Sequence, residues 1–464
     1  MSPIGDIIKE FQHRRTALRP ARIVRFPPTR YDYVDIRLPN LMPLTDAPDI
    51  VSPHRKSERT LLFWIVAVGF VLRLGFILLA HSYRFKSADG NFGFGFEMGR
   101  IAASLAQGQG FSNPFQAITG PTAWEPPLYP FLVSLVFRIT GVYTAASSII
   151  LLAFNSLFSA LTIVPVFYLA RRSFGDRIAK WSAWTWALCP YAMYWAVKWV
   201  WETSIAAFLL AVLLLLTWRL ADGALRREWL LWGALWGVAA LLNPSMLSVL
   251  PFAGLWVLYR RRKDLPDTVA SVVLAAMVYF AVIAPWLIRN YQTFRQPVFV
   301  RTNFGVELRL GNGPGAAGLS MGYFLHPTHS PFELARYKQM GELAYVAQQK
   351  REALDWIGSH PADFVRVSIA RFAYYWTNTP WSGHVMPAKN ALFLASSICG
   401  FWGLWLMWKQ RRPGLFLFTI CLIVFPLVYY FVFPHPRYRG PIEPELFTLI
   451  VFLVSQTTEL QRTL

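Results

Sequence analysis

The tightest constraint on this chain is a set of uninterrupted apolar runs. Residues 61–80, 204–220, 269–288, 391–408 and 415–433 contain at most one charged residue each. A helix needs about 20 mostly apolar residues to cross the hydrocarbon core of a bilayer. Helices suit that medium because every backbone N–H and C=O is satisfied within the element. Runs of this length and number predict an all-α polytopic membrane protein. Composition agrees, since 55% of the residues are hydrophobic and only 15% are charged, whereas soluble domains carry about a quarter charged residues.

The net charge of +20 raises nucleic acid as a partner, and its placement argues against one. Basic residues gather at the ends of apolar runs: Arg171, Arg172, Arg177 and Lys180; Arg219, Arg226 and Arg227; Arg260 to Lys263; Lys409, Arg411 and Arg412. That is the pattern of short cytoplasmic loops beside membrane lipids. The segment 126–140 is short for a span and contains Arg138, so it reads as an interfacial or re-entrant helix. Counted on that basis, with 178–197 as one of the spans, the clusters fall on one side of about ten transmembrane helices with both termini cytoplasmic. The Asn243-Pro244 pair divides one hairpin, because proline has no N–H and disfavours a helical residue before it.

Residues 1–59 lack the apolar stretch of a signal peptide and are basic and proline-rich in their latter part. They read as a disordered cytoplasmic N-terminal tail ahead of a transmembrane domain over 60–464. Two outward-facing loops stand out in that domain, 82–144 and 289–388, both expected to carry interfacial helices, the second an amphipathic one over about 331–357. Cys189, Cys399 and Cys421 lie inside apolar runs with no ligand spacing, which points to packing.

The stretch Ser87–Ala102 contains Gly93, Gly95 and Gly99 but follows a hydrophobic helix instead of a strand, so a nucleotide-cradling loop lacks its context. Its acids attract more interest, because a carboxylate near the membrane needs a partner or a task. Glu97 opens a short helix whose Met98, Ile101, Ala102 and Leu105 form an apolar stripe, which sets the acid at the edge of the protein body. It reads either as a first-turn acid favoured by the helix dipole and Arg100, or as a catalytic group. Asp89 reads as a turn residue or a second candidate base. Further acids near the outer boundary are Glu125, Glu202, Glu307 and Glu443. Trp124 and Tyr129 flank Pro126-Pro127 in a rigid turn suited to the interface. Arg289, Arg437 and Arg439 lie on the outer side against the usual charge bias. They suit either a phosphate at the bilayer surface or headgroups and helix ends.

Taken in order, these pieces resemble the GT-C superfamily of integral-membrane glycosyltransferases. The likeness is to bacterial enzymes similar to the dolichyl-phosphate-mannose protein mannosyltransferases, and it runs along about 61–453. It rests on Glu97 with Ile101, Ala102 and Leu105; Pro126 to Pro130; Ala170 to Gly175; Glu202-Thr203; Asn243-Pro244; Pro285 to Tyr291; Gly311 to Pro314; and Arg437 to Pro441. Phe94 and Gly95 stand where the family commonly shows an Asp-Glu pair, so Glu97 sits two or three residues out of register.

The resemblance implies a hexosyl- or pentosyltransferase that moves a sugar, with inversion, from a polyprenyl-phosphate donor. The acceptor would be a lipid, glycan or protein on the periplasmic face of a bacterial inner membrane. Glu97, with Asp89 or Glu202, would be the base. Arg289, Arg437, Arg439 and Tyr438 would hold the donor phosphate, and Trp124, Tyr129, Asn290 and Asn312 would line the substrate. No residue is assigned to a metal, since the outer acids are scattered; a divalent cation stays open as cofactor. A lipid-linked sugar flippase would instead show mid-membrane charges and repeat symmetry, of which Arg73 is the one hint. A non-catalytic membrane scaffold is the third class.

Overall fold

The computed structural model describes residues 53–85, 92–223, 225–379 and 388–463. The expected N-terminal tail and Asp89 lie outside the described residues. The compact unit that begins at Pro53 is helical, and among the described residues the only β feature is an isolated bridge between Ser112 and Pro121.

The chain opens with α1 (Pro53–Leu79), followed by α2 (Glu97–Ala106) and α3 (Leu128–Thr140) in the first loop. Next come α4 (Ala145–Leu161) and α5 (Ile163–Phe174), which together make one apolar stretch of 30 residues. The expected span 178–197 is two helices, α6 (Asp176–Leu188) and α7 (Pro190–Lys198). Pro190 breaks it, and the carbonyls freed at the end of α6 are met by Arg73 of α1. Its Nη2 donates to Trp186 O at 2.9 Å and its Nη1 to Ala187 O at 3.0 Å. The buried cation thus ends a helix, where its charge is favourable.

The central helix α8 (Thr203–Gly223) is buried along most of its length. α9 (Arg226–Leu242) and α10 (Leu250–Arg260) form the expected hairpin, where the Asn243 side chain accepts from Ser245 N. α11 (Leu265–Phe294) packs tightly on α9 through Gly233 and Gly237. A Cβ at Gly233 would sit 2.1 Å from the Ala275 carbonyl oxygen, so this helix pair approaches as only small residues allow.

Beyond it lie α12 (Phe304–Gly311), α13 (Pro331–Met340), α14 (Glu342–Ser359) and α15 (Pro361–Thr377). The amphipathic stretch 331–357 is therefore two helices, separated at Gly341 with φ 76°. α16 (Ala388–Lys409) follows as one helix. The run 415–433 is α17 (Leu415–Thr419), a π turn at Ile420–Val424 and α18 (Leu427–Phe431) after Pro426. α19 (Glu443–Thr463) ends the described chain.

Among the described residues, five helices are long and apolar enough to cross a membrane: Ser57–Leu79, Ala145–Phe174, Thr203–Gly223, Arg262–Phe294 and Asn390–Lys409. Large apolar residues such as Phe63, Met277, Phe280 and Trp402 are exposed on them, as an integral membrane protein requires. The expected count of about ten is not confirmed, because several runs are divided by proline or fall short.

Candidate functional site

Loops from six parts of the chain meet around one cavity of about 470 Å³. Its assembly begins with the glycine-rich stretch. Gly93 O accepts from Val200 N at 2.8 Å, which stitches this loop to the turn before α8. Gly95 has φ +83°, and a Cβ there would lie 3.0 Å from Val200 O, so the close approach needs glycine. Phe96 follows with φ 44°, an uncommon conformation for a bulky residue. The outcome of these turns is that Glu97 starts α2 on the cavity wall. There Thr328 Oγ1 donates to its Oε1 at 2.6 Å, and His326 Nε2 lies 3.8 Å from the same oxygen.

The short helix 436–442 lines the same cavity. His435 caps it, Nδ1 accepting from Arg437 N at 3.2 Å. The Arg437 guanidinium carbon lies over the Trp201 ring, 3.7 Å from its centre, where the ring face attracts a cation. Its Nη1 donates to both oxygens of Glu202, at 3.3 and 3.4 Å, and Asn243 Nδ2 donates to Glu202 Oε1 at 3.3 Å. Nε and Nη2 of Arg437 are not engaged by another described side chain. Tyr438 stacks on Tyr429 with ring centres 4.6 Å apart.

Two further acids, Glu125 and Glu307, face the same space, with Arg301 Nη1 3.8 Å from Glu125. Burial pushes the Glu125 carboxyl up to about 8; Arg301 opposes this, and Glu97, Glu307 and Glu202 add to it. Burial likewise raises Glu307 to about 7, against Arg301. Burial lowers His326 and His329, with Glu97 opposing, and takes His435 down to about 3 with help from Arg437. The cavity therefore presents neutral imidazoles, two carboxyls that hold protons near neutrality, and two arginines. Among the described residues no group of three His, Cys, Asp or Glu is arranged to hold a metal ion.

Of the residues singled out by sequence, Glu97, Glu202, Arg437 and Tyr438 come together around this cavity, with Glu125 and Glu307. The other described candidates stand elsewhere. Arg289 is drawn off by backbone carbonyls: Nη1 donates to Thr122 O at 2.7 Å and Nη2 to Phe111 O at 2.9 Å, with Trp286 beneath. Asn290 takes part in that junction. Arg439 is fully buried and bonded to Glu443, Ser396 and Ser397. Asn312 donates to Leu308 O and Phe431 O and accepts from Arg371. Tyr129 donates to Asn155 in the core, and Trp124 packs among Phe115, His326 and Tyr337.

Behind Trp124, the Glu342 carboxylate accepts from Thr122 Oγ1 at 2.5 Å, Ala123 N at 2.9 Å, Thr302 Oγ1 at 2.7 Å and Tyr337 OH at 2.7 Å. It joins the first loop to the later one. Sequence reasoning passed over Arg301, His326 and His329, and weighed Glu125 and Glu307 without choosing them. His-Pro occurs at 326–327, 360–361 and 435–436, and the first and last of these histidines line the cavity while His360 does not, so the dipeptide is no signal by itself.

Residues 124–288 match the sequence model of the dolichyl-phosphate-mannose-protein mannosyltransferase family. The resemblance drawn from the motifs is found over that segment. No curated protein matches the sequence. Among solved structures, the Archaeoglobus fulgidus oligosaccharyltransferase in its apo form superposes with a TM-score of 0.50 at 14% identity, over 87% of this chain and 51% of that one. ArnT from Cupriavidus metallidurans, solved bound to undecaprenyl phosphate, gives a TM-score of 0.37 at 14% identity, over 87% of this chain and 79% of that one. The archaeal likeness is one of fold alone, and this chain spans about half the length of that enzyme.

Proposed function

We propose, from the premise that residues 124–288 carry the dolichyl-phosphate-mannose-protein mannosyltransferase pattern, that this membrane protein is a glycosyltransferase. It takes its sugar from a polyprenyl-phosphate donor and works at the loop-rich end of its helices. The observation that carries this reading is one cavity lined by Glu97 and other acids together with Arg437, Tyr438 and Arg301.

Chemically, the two halves of the cavity do complementary things. A hydroxyl acceptor attacks the anomeric carbon as Glu97 takes its proton, and the lone pair of the acceptor oxygen forms the new C–O bond. The bond from that carbon to the phosphate oxygen breaks, and its electron pair leaves with the lipid phosphate. Attack from the side opposite the phosphate inverts the centre. Arg437, with Nε and Nη2 uncommitted among the described residues, offers fixed charge to the departing phosphate; Tyr438 adjoins it, and Arg301 lines the same cavity. Glu202 holds Arg437 over Trp201 and acts through it, so its role moves from base to support.

A lipid carrier explains a site at the membrane boundary, since the prenyl chain stays in the bilayer while the sugar reaches the cavity. In this reading that boundary is the periplasmic side of a bacterial inner membrane, with both termini and the basic tail in the cytoplasm, and the basic clusters in short loops support it. The two outer loops are then 82–144 and 289–388.

The test is transfer by the full chain in liposomes containing a panel of polyprenyl-phosphate hexoses and pentoses, with lipid, glycan and peptide acceptors. We expect one donor to be consumed, and Glu97→Gln to lower the rate by roughly 100-fold or more. Wild-type protein inert on every donor, or Glu97→Gln at the wild-type rate, overturns the assignment.

A further inference from the structure

His326 belongs to no motif of the sequence reading, yet it sits buried against Glu97. Its Nδ1 accepts from Thr328 N at 3.1 Å across Pro327. A neutral imidazole has one donor and one acceptor nitrogen, so the backbone bond at Nδ1 sets the proton on Nε2. That N–H faces Glu97 Oε1 at 3.8 Å, one small side-chain adjustment from a hydrogen bond, while the Thr328 hydroxyl already donates to the same oxygen. The ring is held neutral because burial lowers its affinity for a proton, with His329 and Arg100 adding to this and Glu97 opposing it. His435 repeats the device across the cavity, its Nδ1 accepting from Arg437 N across Pro436. Two His-Pro turns thus fix two tautomers by the same backbone bond.

We propose that His326 is a positioning residue for Glu97: the His326-Pro327-Thr328 turn directs two donors at Oε1 and so assigns Oε2 as the oxygen that takes the acceptor's proton. This rests on Glu97 being the base of the proposed transfer. A carboxylate with both oxygens unconstrained would rotate, and the proton would have two destinations. Donors on one oxygen fix the plane of the carboxylate and leave the other to the acceptor hydroxyl. The step balances: the acceptor proton goes to Oε2, the oxygen lone pair makes the sugar bond, and the lipid phosphate leaves with the pair from the broken bond.

Two measurements on the full chain test it. In the liposome assay, with whichever polyprenyl-phosphate sugar of the panel is consumed, His326→Asn keeps an acceptor near the Nδ1 position but loses the donor at Nε2. It should lower kcat by roughly 10- to 100-fold with the donor KM within about twofold. His326→Gln keeps an N–H near Nε2 and should recover most of the loss. Asn at the wild-type rate, or Gln no better than Asn, overturns the proposal. The nitrogen-15 histidine spectrum reads the tautomer without substrate, with His326→Asn as its assignment control. We expect an Nε2–H imidazole whose Nε2 resonance moves in Glu97→Gln. An Nδ1–H ring, or no response to Glu97→Gln, also overturns it. A protein that transfers no sugar yet shows the expected spectrum sinks the base reading and leaves the local geometry standing.

Discussion

Arg437 and Arg439 are two residues apart, both are buried, and each is paired with a glutamate, yet they belong to different parts of the molecule. Arg439 has every nitrogen occupied: Nε by Glu443, Nη1 by Ser397 and Phe393 O, Nη2 by Ser396 and Tyr191. The Phe393 ring lies 3.4 Å beneath it. Arg437 spends only Nη1 on Glu202, and its plane rests on a cavity wall. A buried cation whose hydrogen bonds are all made holds a fold, whereas one with donors to spare at a cavity can hold a ligand. The difference is one of committed donors, since burial and charge are alike.

Three experiments press on that contrast, in falling order of effect. Arg439→Ala should leave Glu443 buried and uncompensated, a loss of about 3–5 kcal/mol that depletes folded protein in the membrane. Its expression level and thermal unfolding in detergent read this, and Arg439→Met with Glu443→Leu should restore most of the loss. If Arg439→Ala folds normally and fails only in transfer, the two arginines have been assigned the wrong way round. Arg437→Ala should fold with a loss of only about 1–2 kcal/mol, since Glu202 keeps Asn243 and faces the cavity. Its kcat/KM for the lipid-phosphate sugar should fall by roughly 100-fold or more.

The smallest effect concerns the acids beside Arg301. The Glu125 carboxyl holds its proton up to about 8 in the folded protein, while in the unfolded chain it ionises near 4.5. Between those values the native state binds the extra proton, so this contribution to stability is full below about 4.5 and is lost as pH rises through about 8. Glu125→Gln, neutral throughout, should therefore unfold about 2–4 °C higher than wild type at pH 9 and equally at pH 5. A gap that widens towards low pH would show that Arg301 outweighs the burial.

Much of the fold was legible because it follows from local chemistry. Apolar runs located the helices, and Asn243-Pro244 turned its hairpin as expected. Pro190 and Pro426 were equally visible breakers, but hydropathy carried the reading across them, and two spans came out divided. The site was legible in part. Glu97, Glu202, Arg437 and Tyr438 converge, since each stands beside a glycine, tryptophan or proline punctuation that marks a loop at the helix ends. Arg289 could not be read, because its partners are the carbonyls of Phe111 and Thr122, more than 160 residues away. Arg439 could have been, since Glu443 follows it at helical spacing. The meeting of Glu125, Arg301 and Glu307 is tertiary and has no local signature.

The Glu342 carboxylate has a consequence for how such a protein can change over generations. It gathers donors from Thr122, Ala123, Thr302 and Tyr337, which lie in two loops that the chain builds separately. Neither loop can be exchanged for that of a relative on its own, because the graft would strand a buried carboxylate or its donors. The two loops form one unit of inheritance, so a substitution at Thr122 or Thr302 should be matched at Glu342 in any descendant that keeps the cavity.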